Sequence, residues 1–204
     1  MNKYVRFLNA DCYGRNISFY TNGKMSAENI PFGEASRYIA IDGSNATFTL
    51  SCLNCDMSEC TGLELNFDNT PVYTVAAVCI ADSVCLYGIR EIFGEPSRTT
   101  ANIRVCNLSP DISGDDLYAN RYKLIGDMDY LEISKYIPMI PDTYDFSVRD
   151  DDDDITFNIG KQTLGKGKYN TFYIMGKHNS NPAMRCVVSV DAMSYEGESL
   201  RIMI

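Results

Sequence analysis

Ile103-Arg104-Val105-Cys106-Asn107-Leu108-Ser109-Pro110-Asp111 lies in the middle of the chain, yet it reads as the start of a domain. Ile103 and Val105 flank Arg104 in the period-two pattern of a strand, and a polar, Pro-bearing turn comes next. The same opening stands just inside the N-terminus as Val5-Arg6-Phe7-Leu8-Asn9, 98 residues earlier. At that offset Ser36-Arg37-Tyr38-Ile39 falls on Ser134-Lys135-Tyr136-Ile137, and Thr47-Phe48-Thr49-Leu50 on Asp145-Phe146-Ser147-Val148. After a one-residue slip, Thr74-Val75-Ala76 meets Thr171-Phe172-Tyr173. Four matches in order make the chain a tandem duplication. The expected boundary lies in the polar stretch Gly94-Glu95-Pro96-Ser97-Arg98-Thr99-Thr100, giving repeats at 1–97 and 98–204.

Within each copy the apolar residues alternate. Phe48, Leu50 and Cys52 share one face of a strand, as do Tyr144, Phe146 and Val148 in the second copy. Turn signals separate the runs at Asn22-Gly23, Asp42-Gly43, Asn69-Thr70-Pro71, Ala81-Asp82-Ser83 and Asn179-Ser180-Asn181-Pro182. Short strands at regular spacing predict an all-β protein of two antiparallel β-sandwiches. Residues 120–133 are the one place where a helical turn is expected.

Composition narrows the function. The 204 residues carry a net charge of -9, with 45% hydrophobic and 11% aromatic residues, including 14 Tyr and no Trp. An acidic chain is poorly suited to nucleic acid, whose affinity comes from Lys and Arg on phosphates, and to anionic membrane surfaces. No apolar run is long enough to span a bilayer. The N-terminus shows no secretory apolar segment, and its Met favours synthesis in the cytoplasm.

At this point the chain resembles the bacterial domain-of-unknown-function 4397 family. Its repeats open with V-R-x-x-H-x-S-P-D, continue through P-F-G-x-x-S-x-Y and reach a late Y-T-V strand. Arg104, Ser109-Pro110-Asp111, Pro31-Phe32-Gly33-Glu34-Ala35-Ser36-Arg37-Tyr38 and Tyr73-Thr74-Val75 match. The resemblance covers almost all of both copies. It implies immunoglobulin-like sandwiches and an extracytoplasmic or envelope setting with no known activity. Asn107 stands where the family usually has His, and the first copy reads Asn9-Ala10-Asp11-Cys12 without Ser-Pro.

Eight cysteines are the densest chemical feature. Cys52, Cys55 and Cys60 crowd the loop 52–60, with the C-x-x-C spacing of a metal site but only three local ligands. Disulfides within or between chains, free thiols and metal are all open there, with disulfides favoured. Cys12 joins the loop cysteines as a candidate for cross-links between subunits. Cys79 and Cys85 flank the Ala81-Asp82-Ser83 turn and are candidates to face one another across a hairpin. Cys106 and Cys186 read as buried hydrophobes.

The second copy places Asp150–Asp154 where the first has its cysteine loop. A like-charge run without the glycine of a calcium loop reads as a solvated tip. A single histidine, His178, rules out most Ser-His-Asp or Cys-His arrangements. No catalytic residue, cofactor or metal is expected.

These features predict a structural, self-assembling protein of a bacterial surface layer, spore coat or appendage. Its partner is then another copy of itself. A spore coat reconciles cytoplasmic synthesis with abundant cysteine, because its proteins meet oxidant late. The alternative is a non-catalytic module binding a glycan or a protein. Ser199-Leu200-Arg201-Ile202-Met203-Ile204 repeats the opening strand a third time. Leu200, Ile202 and Ile204 are therefore candidates to dock as a strand, either in their own domain or at the open sheet edge of the next molecule.

Overall fold

The computed structural model describes residues 3–52, 62–81, 83–91 and 97–195. The described residues up to 91 form one compact unit, and 97–194 form the other. Among the described residues, sixteen strands and one short 3-10 turn, Ala192–Ser194, account for the regular structure, with no α-helix.

In the first unit β1 (Lys3–Asn9), β4 (Ile39–Ile41), β7 (Val72–Ile80) and β8 (Ser83–Arg90) make one sheet, in the order β4-β1-β7-β8. β2 (Ile17–Thr21), β3 (Lys24–Ile30), β5 (Asn45–Cys52) and β6 (Leu63–Asn66) make the other, in the order β3-β2-β5-β6. The second unit repeats this plan. β9 (Ala101–Leu108), β12 (Ile137–Met139), β15 (Tyr169–Met175) and β16 (Arg185–Val190) pair as β12-β9-β15-β16. β10 (Asp115–Ala119), β11 (Tyr122–Met128), β13 (Thr143–Arg149) and β14 (Ile155–Thr163) pair as β11-β10-β13-β14. The result is two tandem immunoglobulin-like β-sandwiches.

Alternation places the cores. In β5 Ala46, Phe48 and Leu50 point inward while Thr47 and Thr49 face out. Phe7 stacks on Phe19 with centroids 4.8 Å apart, and Phe146 meets Phe172 at the same distance. Each of these rings is fully buried, as is that of Phe48, so truncating Phe48 or Phe146 to Ala should cost about 3–5 kcal/mol.

One pairing brings polar residues from distant segments together inside each unit. The first strand runs parallel to the late strand, with Arg6 opposite Thr74 and Arg104 opposite Thr171. The other ladders are antiparallel. The one-residue slip between the copies therefore preserves a spatial pair. β1 and β9 are also buried on both faces, so Arg6, Leu8 and Cys106 lie inside although the alternation turns them away from the cores.

Residues 120–133 differ from the expected helical turn. They form β11 and then a turn in which Glu132 N–H donates to the Asp129 carbonyl at 3.1 Å. Asn120 takes a left-handed φ of 55°, which closes the β10–β11 hairpin before a helix can begin.

Candidate functional site

Arg6 and Thr74 meet because their strands are parallel neighbours in register. Arg6 Nε donates to Thr74 Oγ1 at 2.7 Å, and that hydroxyl donates to Glu91 Oε1 at 2.7 Å. Arg6 Nη2 lies 3.2 Å from the same Glu91 oxygen. Tyr38 completes the group: its hydroxyl sits 2.9 and 2.8 Å from the two Glu91 oxygens, and its ring lies under the guanidinium at 5.0 Å. All four residues are buried.

The second unit builds the same quartet. Arg104 Nε donates to Thr171 Oγ1 at 2.7 Å, Thr171 donates to Asp191 Oδ2 at 2.5 Å, and the Tyr136 hydroxyl bonds the same Asp191 oxygen. Arg104 stands over the Tyr136 ring at 4.7 Å. Asp191 is one methylene shorter than Glu91, and its oxygen lies 3.8 Å from Arg104 Nε. A charge in this setting is tolerable only when paired and hydrogen-bonded. The quartet meets that condition twice, and it braces the early strand to the late one.

The turns after the first strands carry a second set of braces. Asn9 Oδ1 accepts from Asp11 N–H at 2.9 Å, and its amide donates to the Arg15 and Ile30 carbonyls at 2.7 and 2.8 Å. Asn107 repeats this with Ser109 N–H at 3.0 Å and the Ile112 carbonyl at 3.0 Å. The amide accepts and donates at once, as a bracing side chain here must. Asp11 is gripped by the Arg15 guanidinium at 2.7 and 2.9 Å. In the second unit Ser109 Oγ donates to the Gly176 carbonyl at 2.8 Å, and Asp111 Oδ2 accepts from His178 N–H at 2.7 Å.

The cysteines are placed differently from the expected pairs. Cys12 forms a disulfide with Cys79 of its own chain, with Cα atoms 5.9 Å apart. The reason is register: Ala10 N–H donates to the Ala77 carbonyl at 2.9 Å, which carries the chain along β7 as far as Cys79. Cys79 therefore does not face Cys85 across the hairpin; its cross-strand neighbour is Val84, and Cys85 stands opposite Val78. Cys52 is also disulfide-bonded. Cys55 and Cys60 lie outside the described residues, as do Leu200, Ile202 and Ile204. Cys85 is a half-buried free thiol. Burial pushes the Cys106 thiol up to about 12 and raises Cys186 above the usual thiol range, so both stay neutral.

Two open grooves lie on the outward polar faces of the second sheets. In the first unit Asn16, Ser18, Glu28, Asn29, Ser51 and Cys52 line a groove of about 680 Å³, with the Tyr20 hydroxyl 3.2 Å from Ser51 Oγ. In the second unit Asn120, Asp145, Ser147, Arg149, Ile155 and Asn158 line one of about 290 Å³. There the Arg149 guanidinium sits 4.4 Å over the Tyr118 ring and 3.0 Å from Asp153. Asp151–Asp154 are exposed, and Asp150 Oδ1 accepts from Asp152 and Asp154 N–H.

The arginine, tyrosine and threonine of the quartet are the sequence positions that the repeat comparison aligns. Glu91 and Asp191 escape that comparison, because they differ in type and in spacing. A buried arginine at the centre of a first strand is the signal that demands an acid.

A family model described as "Domain of unknown function (DUF4397)" matches residues 3–114 and again 101–202. No curated protein matches the chain. Among solved structures, the C-terminal domain of AlgF from P. aeruginosa is similar at 16% identity and a TM-score of 0.32, covering 46% of this chain and 99% of that one. A structure reported as alpha-glucan binding by a streptococcal virulence factor is similar at 11% identity and TM-score 0.27, covering 95% and 98%. CBMbc (family CBM26) from Eubacterium rectale Amy13K, solved with maltoheptaose, is similar at 10% identity and TM-score 0.27, covering 96% and 100%.

Proposed function

The chain belongs to the domain-of-unknown-function 4397 family, and from that premise we propose that it is a non-catalytic structural and binding protein of a bacterial surface. The observation that carries this reading is the duplicated quartet. Its ionisable groups are bound to one another inside the sheets, where they fix strand pairing and present no reactive atom to a substrate. What each unit offers outward is a polar sheet face with a tyrosine beside a groove. Such a face contacts a polar polymer or a protein through hydrogen bonds and ring stacking. The Cys12–Cys79 disulfide supports an oxidising final location.

The test is binding of purified protein to a panel of polysaccharides and to itself, by sedimentation and calorimetry. Saturable binding that weakens severalfold in Tyr118→Ala and Tyr20→Ala variants supports the reading. Turnover of any panel member would overturn it.

Self-assembly by strand addition is the second reading. It is favoured by the nine-residue β14, which ends its sheet in the second unit among the described residues. An unpaired edge is a template for another strand. Truncation after Gly197 tests it: loss of higher-order species from a folded protein supports donor-strand assembly, and unchanged assembly sinks it.

A further inference from the structure

We propose that the reduced first unit binds one thiophilic divalent metal ion through Asp11, Cys12 and Cys79, so that the disulfide and the metal are alternative occupants of one buried site. A carboxylate oxygen of Asp11 and the two sulfurs lie within 4.8 Å of one another, and all three residues are buried. Cys79 Sγ is 3.2 Å from Asp11 Oδ1, and the Cys12 N–H points at Cys79 Sγ from 2.8 Å. An amide donor aimed at sulfur stabilises a thiolate, the form that ligates metal.

The second unit supplies the internal comparison. The repeat alignment sets Asp11 and Cys12 on Ser109 and Pro110, and Cys79 on Gly176. There a neutral hydrogen bond from Ser109 Oγ to the Gly176 carbonyl does the bracing. Gly176 has a φ of +88°, and a Cβ there would meet the Ala183 carbonyl oxygen at 2.6 Å, so no side chain fits. A bridge alone explains the two cysteines of the first unit. Asp11 also caps the turn, accepting from Tyr13 and Arg15 N–H at 3.3 and 3.1 Å, and this holds its Oδ1 3.2 Å from Cys79 Sγ, within reach of an ion bound to both sulfurs. Two thiolates, one carboxylate and a divalent ion leave one negative charge. The Arg15 guanidinium, 2.7 Å from Asp11, balances it. Two sulfurs and one oxygen leave a fourth tetrahedral position for water. Soft sulfur selects zinc or cadmium over magnesium or calcium.

The chemistry balances with a dithiol as reductant. It transfers two electrons and two protons, leaving as its own disulfide, while the Cys12–Cys79 bond breaks to two thiols. The metal then displaces both thiol protons and bonds the two sulfurs and an Asp11 oxygen. Reoxidation by a disulfide releases the ion.

The experiment uses the full chain carrying Cys52→Ser, Cys55→Ser and Cys60→Ser, which removes the loop thiols. Reduced protein is titrated with Co2+ and then Zn2+ without oxygen. One equivalent of Co2+ should give a tetrahedral visible spectrum with a thiolate-to-metal charge-transfer band, displaced by Zn2+ and absent from oxidised protein. Cys79→Ser should abolish the band, and Asp11→Asn should weaken binding by about tenfold or more. Zn2+ should also protect Cys12 and Cys79 of the reduced parent from alkylation while leaving Cys85 unchanged. That readout serves even where a variant fails to fold. No band and no protection in a reduced protein that keeps its β circular dichroism would overturn the proposal, as would a band that survives in folded Cys79→Ser.

Discussion

Arg6 occupies a strand position where a neutral residue would be far easier to bury. Its guanidinium is held by Thr74, Glu91 and the Tyr38 ring. Removing it leaves the Glu91 carboxylate in a dry site without its counter-charge. Arg6→Met should therefore cost about 3–5 kcal/mol in urea denaturation. Arg6→Met combined with Glu91→Gln should recover a large part of that loss, because the neutral amide needs no partner charge. Strict additivity of the two single effects would show that the pair is not coupled. Asp115 makes a contrasting case. It is buried, and burial raises its carboxyl above the ordinary 3.8 although the Thr156 hydroxyl pulls the other way. The unfolded chain thus gives up this proton first, and the folded state loses stability as pH rises from about 3.8 through the folded value. Asp115→Asn should match the parent near pH 3, where both side chains are neutral, and melt above it near pH 7. An advantage that shrinks with rising pH would contradict this sign.

At the scale of elements, the two copies use the same devices on different side chains. Asn22 and Asn120 both take positive φ at the tip of a hairpin, and each side-chain oxygen accepts a backbone N–H, from Thr47 at 2.9 Å and from Asp145 at 3.0 Å. Replacing either by Ala should cost about 1 kcal/mol, by a similar amount in each unit; thermal melts of the two variants compare them directly. The copies diverge where β1 and β9 end. The first closes a loop of sequence separation 67 with the Cys12–Cys79 disulfide, and the second uses Ser109 and Gly176. A cross-link of that span restricts the unfolded chain, so Cys12→Ser with Cys79→Ser should lose about 4 kcal/mol. Mass spectrometry of unreduced peptides should recover 12–79 as a linked pair.

For the whole molecule, reduction should act on one unit. Cys106 and Cys186 are both free thiols, and no disulfide is present among the described residues of 97–194. Hydrogen exchange with and without a phosphine should lose protection across β1, β2, β5 and β7 and leave β9, β10, β13 and β15 unchanged. Equal losses in both units would show that the disulfide's effect is not confined to the unit that contains it.

Duplication, strand content and the inward faces of β5 and β13 were legible in the sequence, because alternation and spacing are local properties of the chain. Two things were not legible. β1 and β9 are buried on both faces, so alternation could not mark Arg6 and Arg104 as internal charges in need of Glu91 and Asp191. The disulfide partner of Cys12 also lay out of reach, since local symmetry about a turn suggested Cys85 for Cys79. The parallel ladder between β1 and β7 decided that pairing instead, by carrying two distant segments side by side to the same end of the sheet. Local pattern determines which residues form strands and which side they present. Partners separated by some 70 residues are chosen only when the sheet has closed.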